Sequence, residues 1–145
     1  MNPTRTLLAA ALLAAAAAAH AETTMKDAWI RATVPQQKAS AMFGHITSST
    51  GGRLVGASSP VAGVAEVHEM AMEGSVMKMR AIPGGLELPA GKAVALEPKS
   101  VHVMLMDLKQ QLKPGDIVPV TLVVEGADKK RETIELKVPV KAMTP

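Results

Sequence analysis

The sequence predicts an all-β fold, a single-domain sandwich or barrel, and three observations support this prediction. Runs of strand length recur at a spacing of about ten residues along the chain. Glycine and proline separate these runs, as in Ser59-Pro60 and Lys113-Pro114-Gly115. After the N-terminal segment, no stretch keeps the apolar period of about 3.6 residues that a core-facing helix of three turns requires. Helix should therefore be a minor component.

Residues 1–21 have the layout of a secretory signal peptide. Arg5 is their only charged residue, the run from Leu7 to Ala19 is almost entirely Leu and Ala, and Ala19-His20-Ala21 places small residues at the cleavage positions. The apolar run is shorter than the roughly 20 residues of a membrane-spanning helix. We therefore expect export, cleavage after Ala21, and a mature domain over residues 22–145 without a membrane span.

Nine strands are predicted in the mature domain, and their apolar residues alternate most clearly near the C-terminus. There, one face is shared by Val118, Val120, Leu122 and Val124, and a face of the next strand by Ile134, Leu136 and Val138. Residues 126–130 close a hairpin between the two strands. The predicted strands are Asp27 to Thr33, Ser40 to Thr47, Arg53 to Ser58, Ala65 to Met70, Ser75 to Ala81, Ala93 to Glu97, Val101 to Asp107, Ile117 to Glu125 and Glu132 to Val140.

Composition excludes several classes of function. The formal net charge of the whole chain is only +3, and its charges are scattered rather than gathered into a basic patch. The aromatic residues that could stack on bases are nearly absent, so we expect no nucleic-acid partner. The chain has no cysteine, which excludes disulfides and every thiolate metal site, including zinc–thiolate, iron–sulfur and blue-copper centres.

Histidine and methionine cluster at three places, which are His68-Glu69-Met70, Met77-Lys78-Met79 and His102-Val103-Met104. Imidazole nitrogen binds copper well, and thioether sulfur prefers the soft Cu(I) ion to zinc, calcium or magnesium. A single methionine or histidine on a strand is more often structural than a ligand. The joint pattern nevertheless predicts a site for one Cu(I) ion.

A hairpin over residues 65–81 would bring the first two clusters together. A two-residue turn at Glu73-Gly74 sets Met70 opposite Met77 and His68 opposite Met79, with Cβ atoms about 4.5–5.5 Å apart. Val67 is the expected core residue of the first strand. His68 and Met70 would then lie on its opposite, exposed side.

The strand over residues 101–107 supplies the third cluster. Side chains on a strand alternate between its two faces. One face of this strand therefore carries His102, Met104 and Met106, and the other directs Val103 and Leu105 into the core. His102 and Met104 are therefore about 7 Å apart along the strand, at roughly 3.4 Å per residue. Two such side chains can converge on one ion at a sheet edge.

The spacing of these residues resembles the signature of the periplasmic copper chaperones of the PCu(A)C family. Ten residues separate His68 from Met79, as in the family's signature. Between Met79 and His102-Val103-Met104 lie 22 residues, one more than the family's usual gap. Extra length in the loop around Pro83-Gly84-Gly85 would absorb the difference. The segments Asp27-Ala28-Trp29-Ile30-Arg31, Ser40-Ala41-Met42 and Val103-Met104-Leu105-Met106 resemble the family too.

The resemblance implies a cupredoxin-like Greek-key β-barrel that acts in the periplasm as a monomeric copper chaperone and not as an enzyme. It also implies delivery of Cu(I) to the binuclear copper centre of cytochrome c oxidase. Some members of the family share this task with a thiol-based copper protein. The implied ligands of Cu(I) are His68, Met79, His102 and Met104, with Met70, Met72, Met77 and Met106 as supporting or alternative sulfur donors.

Other functions stay open at this point. A copper-sequestering tolerance protein would need the same site, and a β-sandwich interaction module without metal would leave the methionine cluster unexplained. An electron carrier would need a cysteine thiolate, and a copper oxidase would usually need more histidines. A second ion, Cu(II), could bind at His45 or at the new N-terminus, although a strand residue without a metal role is the favoured interpretation of His45.

Overall fold

The computed structural model describes residues 22–142. This part of the chain is all-β, as predicted, and contains no helix long and apolar enough to cross a membrane. The predicted signal peptide and its cleavage site after Ala21 lie outside the described residues, so both stay predictions.

Ten strands form the domain, and the nine predicted ones are all among them. The one that was missed has three residues and lies between Gly85 and Pro89, too short a run to show alternation. The strands are β1 (Thr23–Arg31), β2 (Ala39–Ser48), β3 (Gly52–Ser58), β4 (Ala62–Glu73), β5 (Val76–Ala81), β6 (Leu86–Leu88), β7 (Val94–Leu96), β8 (His102–Leu108), β9 (Ile117–Gly126) and β10 (Arg131–Lys141).

The strands pair in the order β5-β4-β8-β2-β1-β10-β9-β3-β6, and β7 pairs with β2 beside this path. All of these pairs are antiparallel except β1 with β10, in which Ile30 lies opposite Val140. Strands far apart in sequence thus become neighbours, with β8 between β4 and β2. This crossover inserts the strand of the third His–Met cluster beside the strand of the first.

A single apolar core lies inside the curved sheet. The predicted inward face of β9 is confirmed, because Val118, Val120, Leu122 and Val124 are buried. The β9–β10 hairpin is confirmed too, and the Gly126 amide donates to the Lys130 carbonyl at 2.8 Å. Met42 of β2 and Val103 of β8, both fully buried, form part of the opposite wall. Each such side chain contributes roughly 1.5–3 kcal/mol by leaving water.

A β-bulge in β1 decides which of its residues face the core. The pairing with β2 shifts between Lys26 and Trp29, and Asp27 takes a φ of 55° there. The extra residue reverses the alternation of sides beyond it. Ile30 therefore enters the core, whereas Trp29 and Arg31 lie on the outer side of the sheet.

The β4–β5 hairpin exists, but its predicted register is wrong by two residues. Met70 lies opposite Met79 and Met72 opposite Met77, while His68 lies opposite Ala81. Gly74 has a φ of 63° and takes the first loop position. A Glu73-Gly74 loop would have required that conformation of Glu73, which is costly for a residue with a side chain. A shift of two residues keeps each side chain on its predicted face.

Candidate metal centre

Three adjacent strands, β5, β4 and β8, carry the predicted ligands on one outer surface of the sheet. Directly opposed residues share a face, and His68 lies opposite both Ala81 and His102. Period-two alternation then extends that face along each strand. We call this surface the ligand face; its residues are His68, Met70, Met72, Met77, Met79, His102, Met104 and Met106.

The two histidines are neighbours and both are buried. His68 and His102 are directly paired across β4 and β8, which puts their Cβ atoms about 4.5–5.5 Å apart. Their exposed fractions are 9% and 2%. The expectation that this side of β4 is exposed was therefore wrong at His68. The covering of His102 comes from a tertiary contact, because the Phe43 ring centre lies 6.0 Å from its imidazole centre.

His102 is held in an orientation that suits a metal ligand. Its Nδ1 lies 3.2 Å from the Ser100 carbonyl oxygen and donates to it, an assignment that follows from the hydrogen bond. The lone pair is then on Nε2. Burial lowers the pKa of His102 below its ordinary value of 6.5, against the opposing effect of the backbone carbonyls of Ser100 and Glu97. The ring is therefore neutral at physiological pH, as metal binding requires.

His68 has the complementary arrangement. Its Nε2 lies 2.9 Å from Oε2 of Glu66, which also lies on the outer side of β4. Its Nδ1 is buried and has no hydrogen-bond partner among the described residues. With Nε2 donating to the carboxylate, Nδ1 carries the lone pair. A buried nitrogen left without a partner costs about 1–3 kcal/mol, and binding a metal there would remove this cost.

A pocket of about 170 Å³ joins the thioethers to His102. Met79, Met104 and His102 all line it. Arg31 and Phe43 form another part of its wall, with the guanidinium carbon 5.2 Å from the centre of the Phe43 ring. A larger groove of about 660 Å³ near Glu22 and Arg131 holds none of the predicted ligands. The smaller pocket is therefore the candidate centre, because predicted ligands line it.

The chemistry of the donors limits the metal. In residues 22–142, no three His, Asp or Glu side chains come together in a way that could hold an ion. The predicted ligands that line the pocket are one imidazole and two thioethers, and thioether sulfur favours Cu(I) over zinc. His45 is exposed on β2 and does not line the pocket, and its lack of a metal role stays a prediction.

The four supporting methionines differ in position. Met70 lies directly opposite Met79 but does not line the pocket. Met72 and Met77 form the next pair toward the hairpin tip, four residues beyond His68, or about 13 Å at the rise of a strand. Met106 lies two residues beyond Met104 on β8, opposite Ala39. None of these three lines the pocket.

Sequence reasoning missed the hydrogen-bonding partners of the histidines. The period of two that grouped His68 with Met70 also places Glu66 on the same face, so the alternation could have revealed it. Ser100 acts through its backbone carbonyl, for which a side-chain pattern gives no signal. Phe43 and Arg31 reach the pocket through the pairing of β1 with β2, which no local pattern specifies.

Comparison with protein families gives one match over most of the chain. The LpqE-like family, described as "Putative lipoprotein LpqE-like", matches residues 23–140. A curated relative, "Putative lipoprotein Lxx21020" of Leifsonia xyli subsp. xyli, is 32% identical over 100 residues, which are 68% of this chain. The alignment covers 59% of that relative, so the chain spans about three-fifths of its length.

Solved structures share the fold. The apo PCuAC domain from PmoF1 superimposes with a TM-score of 0.67 at 22% identity, covering 84% of this chain and 95% of that domain. The copper-bound PCuAC domain from PmoF2 gives 0.66 at 19% identity, covering 84% and 94%. The solution structure of CuI-DR1885 from Deinococcus radiodurans gives 0.64 at 30% identity, covering 88% and 83%. The cupredoxin-like β-barrel implied by the sequence resemblance is therefore confirmed.

Proposed function

Because the chain belongs to the LpqE-like family and folds as PCuAC domains do, we propose that it is an exported copper chaperone. It binds one Cu(I) ion through His68, Met79, His102 and Met104 and passes the ion to an acceptor protein. It is not an enzyme in this proposal, since copper is its cargo.

One observation carries the proposal. Two buried imidazoles lie side by side, and each has one nitrogen hydrogen-bonded. Nδ1 of His68 is buried without a partner among the described residues, and the lone pair of His102 is on Nε2 because Nδ1 donates to the Ser100 carbonyl. The free nitrogens are on the face that also carries Met79 and Met104. His102, Met79 and Met104 line one pocket, and His68, which does not line it, is the direct cross-strand partner of His102. Imidazole nitrogen together with thioether sulfur is a donor set that suits Cu(I).

The charge of the donors suits a carrier. Imidazole and thioether are neutral, so the loaded centre keeps the single positive charge of Cu(I). Arg31 in the pocket wall adds a second positive charge nearby. By Coulomb's law the Arg31 charge disfavours a divalent ion more than a monovalent one, whereas the Glu66 carboxylate beside His68 acts in the opposite direction. Because its ligands are neutral, the site should release Cu(I) to an acceptor with more or softer ligands.

Relatives support copper as the cargo. The structure of CuI-DR1885, at 30% identity, was determined with Cu(I), and the PmoF2 domain at 19% identity supports only the shared fold. The PCu(A)C resemblance extends the proposal to the acceptor, which would be the binuclear copper centre of cytochrome c oxidase. Transfer of Cu(I) to a purified fragment carrying that centre would test this step separately.

The proposed location is the periplasm, reached through the predicted signal peptide of residues 1–21. The family description and the curated relative both carry the word lipoprotein. This chain has no cysteine, so it lacks the thiol to which bacterial lipoproteins attach their diacylglycerol. We propose release of the mature domain by cleavage after Ala21.

Competition with a Cu(I) chelator tests the site. The wild type should bind one equivalent and should prefer Cu(I) strongly to zinc. Mutation of a residue that only hydrogen-bonds to a metal ligand typically lowers metal affinity about 10–100-fold. Alanine at any of the four proposed ligands should lower the Cu(I) affinity by more than that. Met106→Ala is the matched control, because it removes a thioether of the ligand face that does not line the pocket.

Two outcomes would contradict the proposal. One is tight zinc binding without a preference for Cu(I). The other is an unchanged Cu(I) affinity in His68→Ala and His102→Ala, which would leave the free nitrogens without a role in metal binding.

A further inference from the structure

The tip of the β4–β5 hairpin exposes apolar side chains that no part of residues 22–142 covers. The exposed fractions are 61% for Met72, 52% for Met77 and 55% for Val76. Strand β5 is the terminal strand of the described sheet and is exposed along its whole length. Exposed apolar groups gathered at one place indicate a binding function more often than isolated ones do.

The two faces of this hairpin differ in chemistry. On the face away from the ligands, Glu69 pairs with Arg80 and Glu73 with Lys78, each at 3.1 Å. The ligand face of the same hairpin carries no charge along its outer half and presents only thioethers there. These are arranged in two directly opposed pairs, Met72 with Met77 and Met70 with Met79.

We propose that Met72 and Met77 form an outer Cu(I) site at the hairpin tip, from which the ion passes through the Met70–Met79 pair to the inner centre. This inference rests on the proposed function and adds to it a second binding site and a direction of loading. The ligand is the bare Cu(I) ion or its complex with a small exchangeable donor.

The geometry of an antiparallel pair makes two thioethers available to one ion. Opposed Cβ atoms lie about 4.5–5.5 Å apart, and each methionine has three rotatable bonds with which to bring its sulfur inward. Successive pairs on one face are about 7 Å apart along the strand. Met79 belongs to the second pair and also lines the inner pocket, so the row of thioethers reaches the centre without a gap.

Transfer along this row is ligand exchange. The bonds from copper to the sulfurs of Met72 and Met77 break as bonds to Met70 and Met79 form, and the ion keeps its single charge. Thioether does not bind protons in the physiological range, so no proton moves at this step. Each move occurs within one molecule, at an effective ligand concentration that is on the order of millimolar for short flexible connections.

Titration with Ag(I) detects the outer site. Ag(I) is a soft monovalent ion that stands in for Cu(I) without redox chemistry, and the methionine methyl signals report binding by NMR. In the wild type, the first equivalent should shift the methyl signal of Met79. Further Ag(I) should shift those of Met72 and Met77 together, and Met72→Leu should abolish the shift at Met77.

The rate of Cu(I) uptake from a chelator tests the path. Met72→Leu/Met77→Leu, which conserves volume on an exposed surface, should slow uptake by about tenfold or more and leave the equilibrium affinity of the inner centre unchanged. Met106→Leu is the control and should load at the wild-type rate.

Three results would overturn the proposal. In the Ag(I) titration, the methyl signals of Met72 and Met77 would stay in place or would shift independently of each other. In the uptake experiment, the double variant would load Cu(I) at the wild-type rate. In each case the inner centre could still bind Cu(I). Failure of the proposed function looks different, because the wild type itself would then show no binding at Met79.

Discussion

At the residue scale, the outer hydrogen bonds of the two histidines decide which nitrogen is free. Glu66 accepts from Nε2 of His68, and the Ser100 carbonyl accepts from Nδ1 of His102. Partners of this kind fix the orientation of an imidazole and raise the basicity of its other nitrogen. The two rings thus offer different nitrogens, as suits two ligands that approach one ion from neighbouring strands.

Glu66→Gln should lower the Cu(I) affinity by about 10–100-fold, because a neutral amide orients and polarises His68 less well than a carboxylate. Chelator competition measures it. Glu69→Gln is the matched control, since Glu69 lies on the other face of the same strand and pairs with Arg80. Equal affinities in the two variants would mean that the Glu66–His68 hydrogen bond does not support the site.

The pKa of His102 predicts a pH dependence of stability in the metal-free protein. Burial lowers this pKa in the folded state, whereas the unfolded chain takes up its proton near 6.5. Between the two values the unfolded state holds more protons, so stability falls as pH is lowered through that window and is complete above it. His102→Gln should remove this contribution. Denaturant unfolding between about pH 5 and 8 measures it, and identical pH slopes would contradict the argument.

At the element scale, the β4–β5 hairpin shows why a register error did not remove the site. The loop is Gly74-Ser75 instead of Glu73-Gly74, which shifts the cross-strand pairing by two residues, and alternation on a strand has a period of two. The thioethers therefore kept their face and changed only their partners. A shift of the pairing by one residue would have turned Met79 away from the pocket.

The pairing register of the β4–β5 hairpin depends on the conformation of Gly74. Its φ of 63° suits glycine, and an added Cβ would meet no atom within 4 Å, so only backbone strain opposes substitution. Gly74→Val should destabilise the hairpin by about 1–2 kcal/mol, whereas Gly74→Asn, which tolerates this conformation, should change it little. Amide hydrogen exchange of β5 measures the difference. Equal protection in both variants would show that Gly74 does not control the hairpin.

At the scale of the whole molecule, local patterns predicted the elements and tertiary contacts decided the rest. Alternation predicted the inward face of β9 and the shared face of His102 and Met104, since both depend on a single strand. The burial of His102 depends on Phe43, which only the pairing of β1, β2 and β8 brings near. The assignment of the four ligands stays a prediction, supported by their placement on one face.

Core packing and copper binding should be separable. Met42 is fully buried on the inner side of β2, away from the ligand face. Met42→Ala should lower the free energy of unfolding by about 2–5 kcal/mol and leave the Cu(I) affinity of the folded protein unchanged. Denaturant unfolding and chelator competition on the same sample measure both. A large loss of affinity in the folded fraction would mean that the core and the site are coupled.

X-ray absorption by the Cu(I)-loaded protein tests the central claim most directly, because it counts the nitrogen and sulfur atoms bound to copper. We predict two imidazole nitrogens and two thioether sulfurs in the wild type. His68→Ala should lose one nitrogen, and Met79→Ala should lose one sulfur or exchange it for Met70. A spectrum with sulfur ligands only, unchanged in His68→Ala and His102→Ala, would contradict the account.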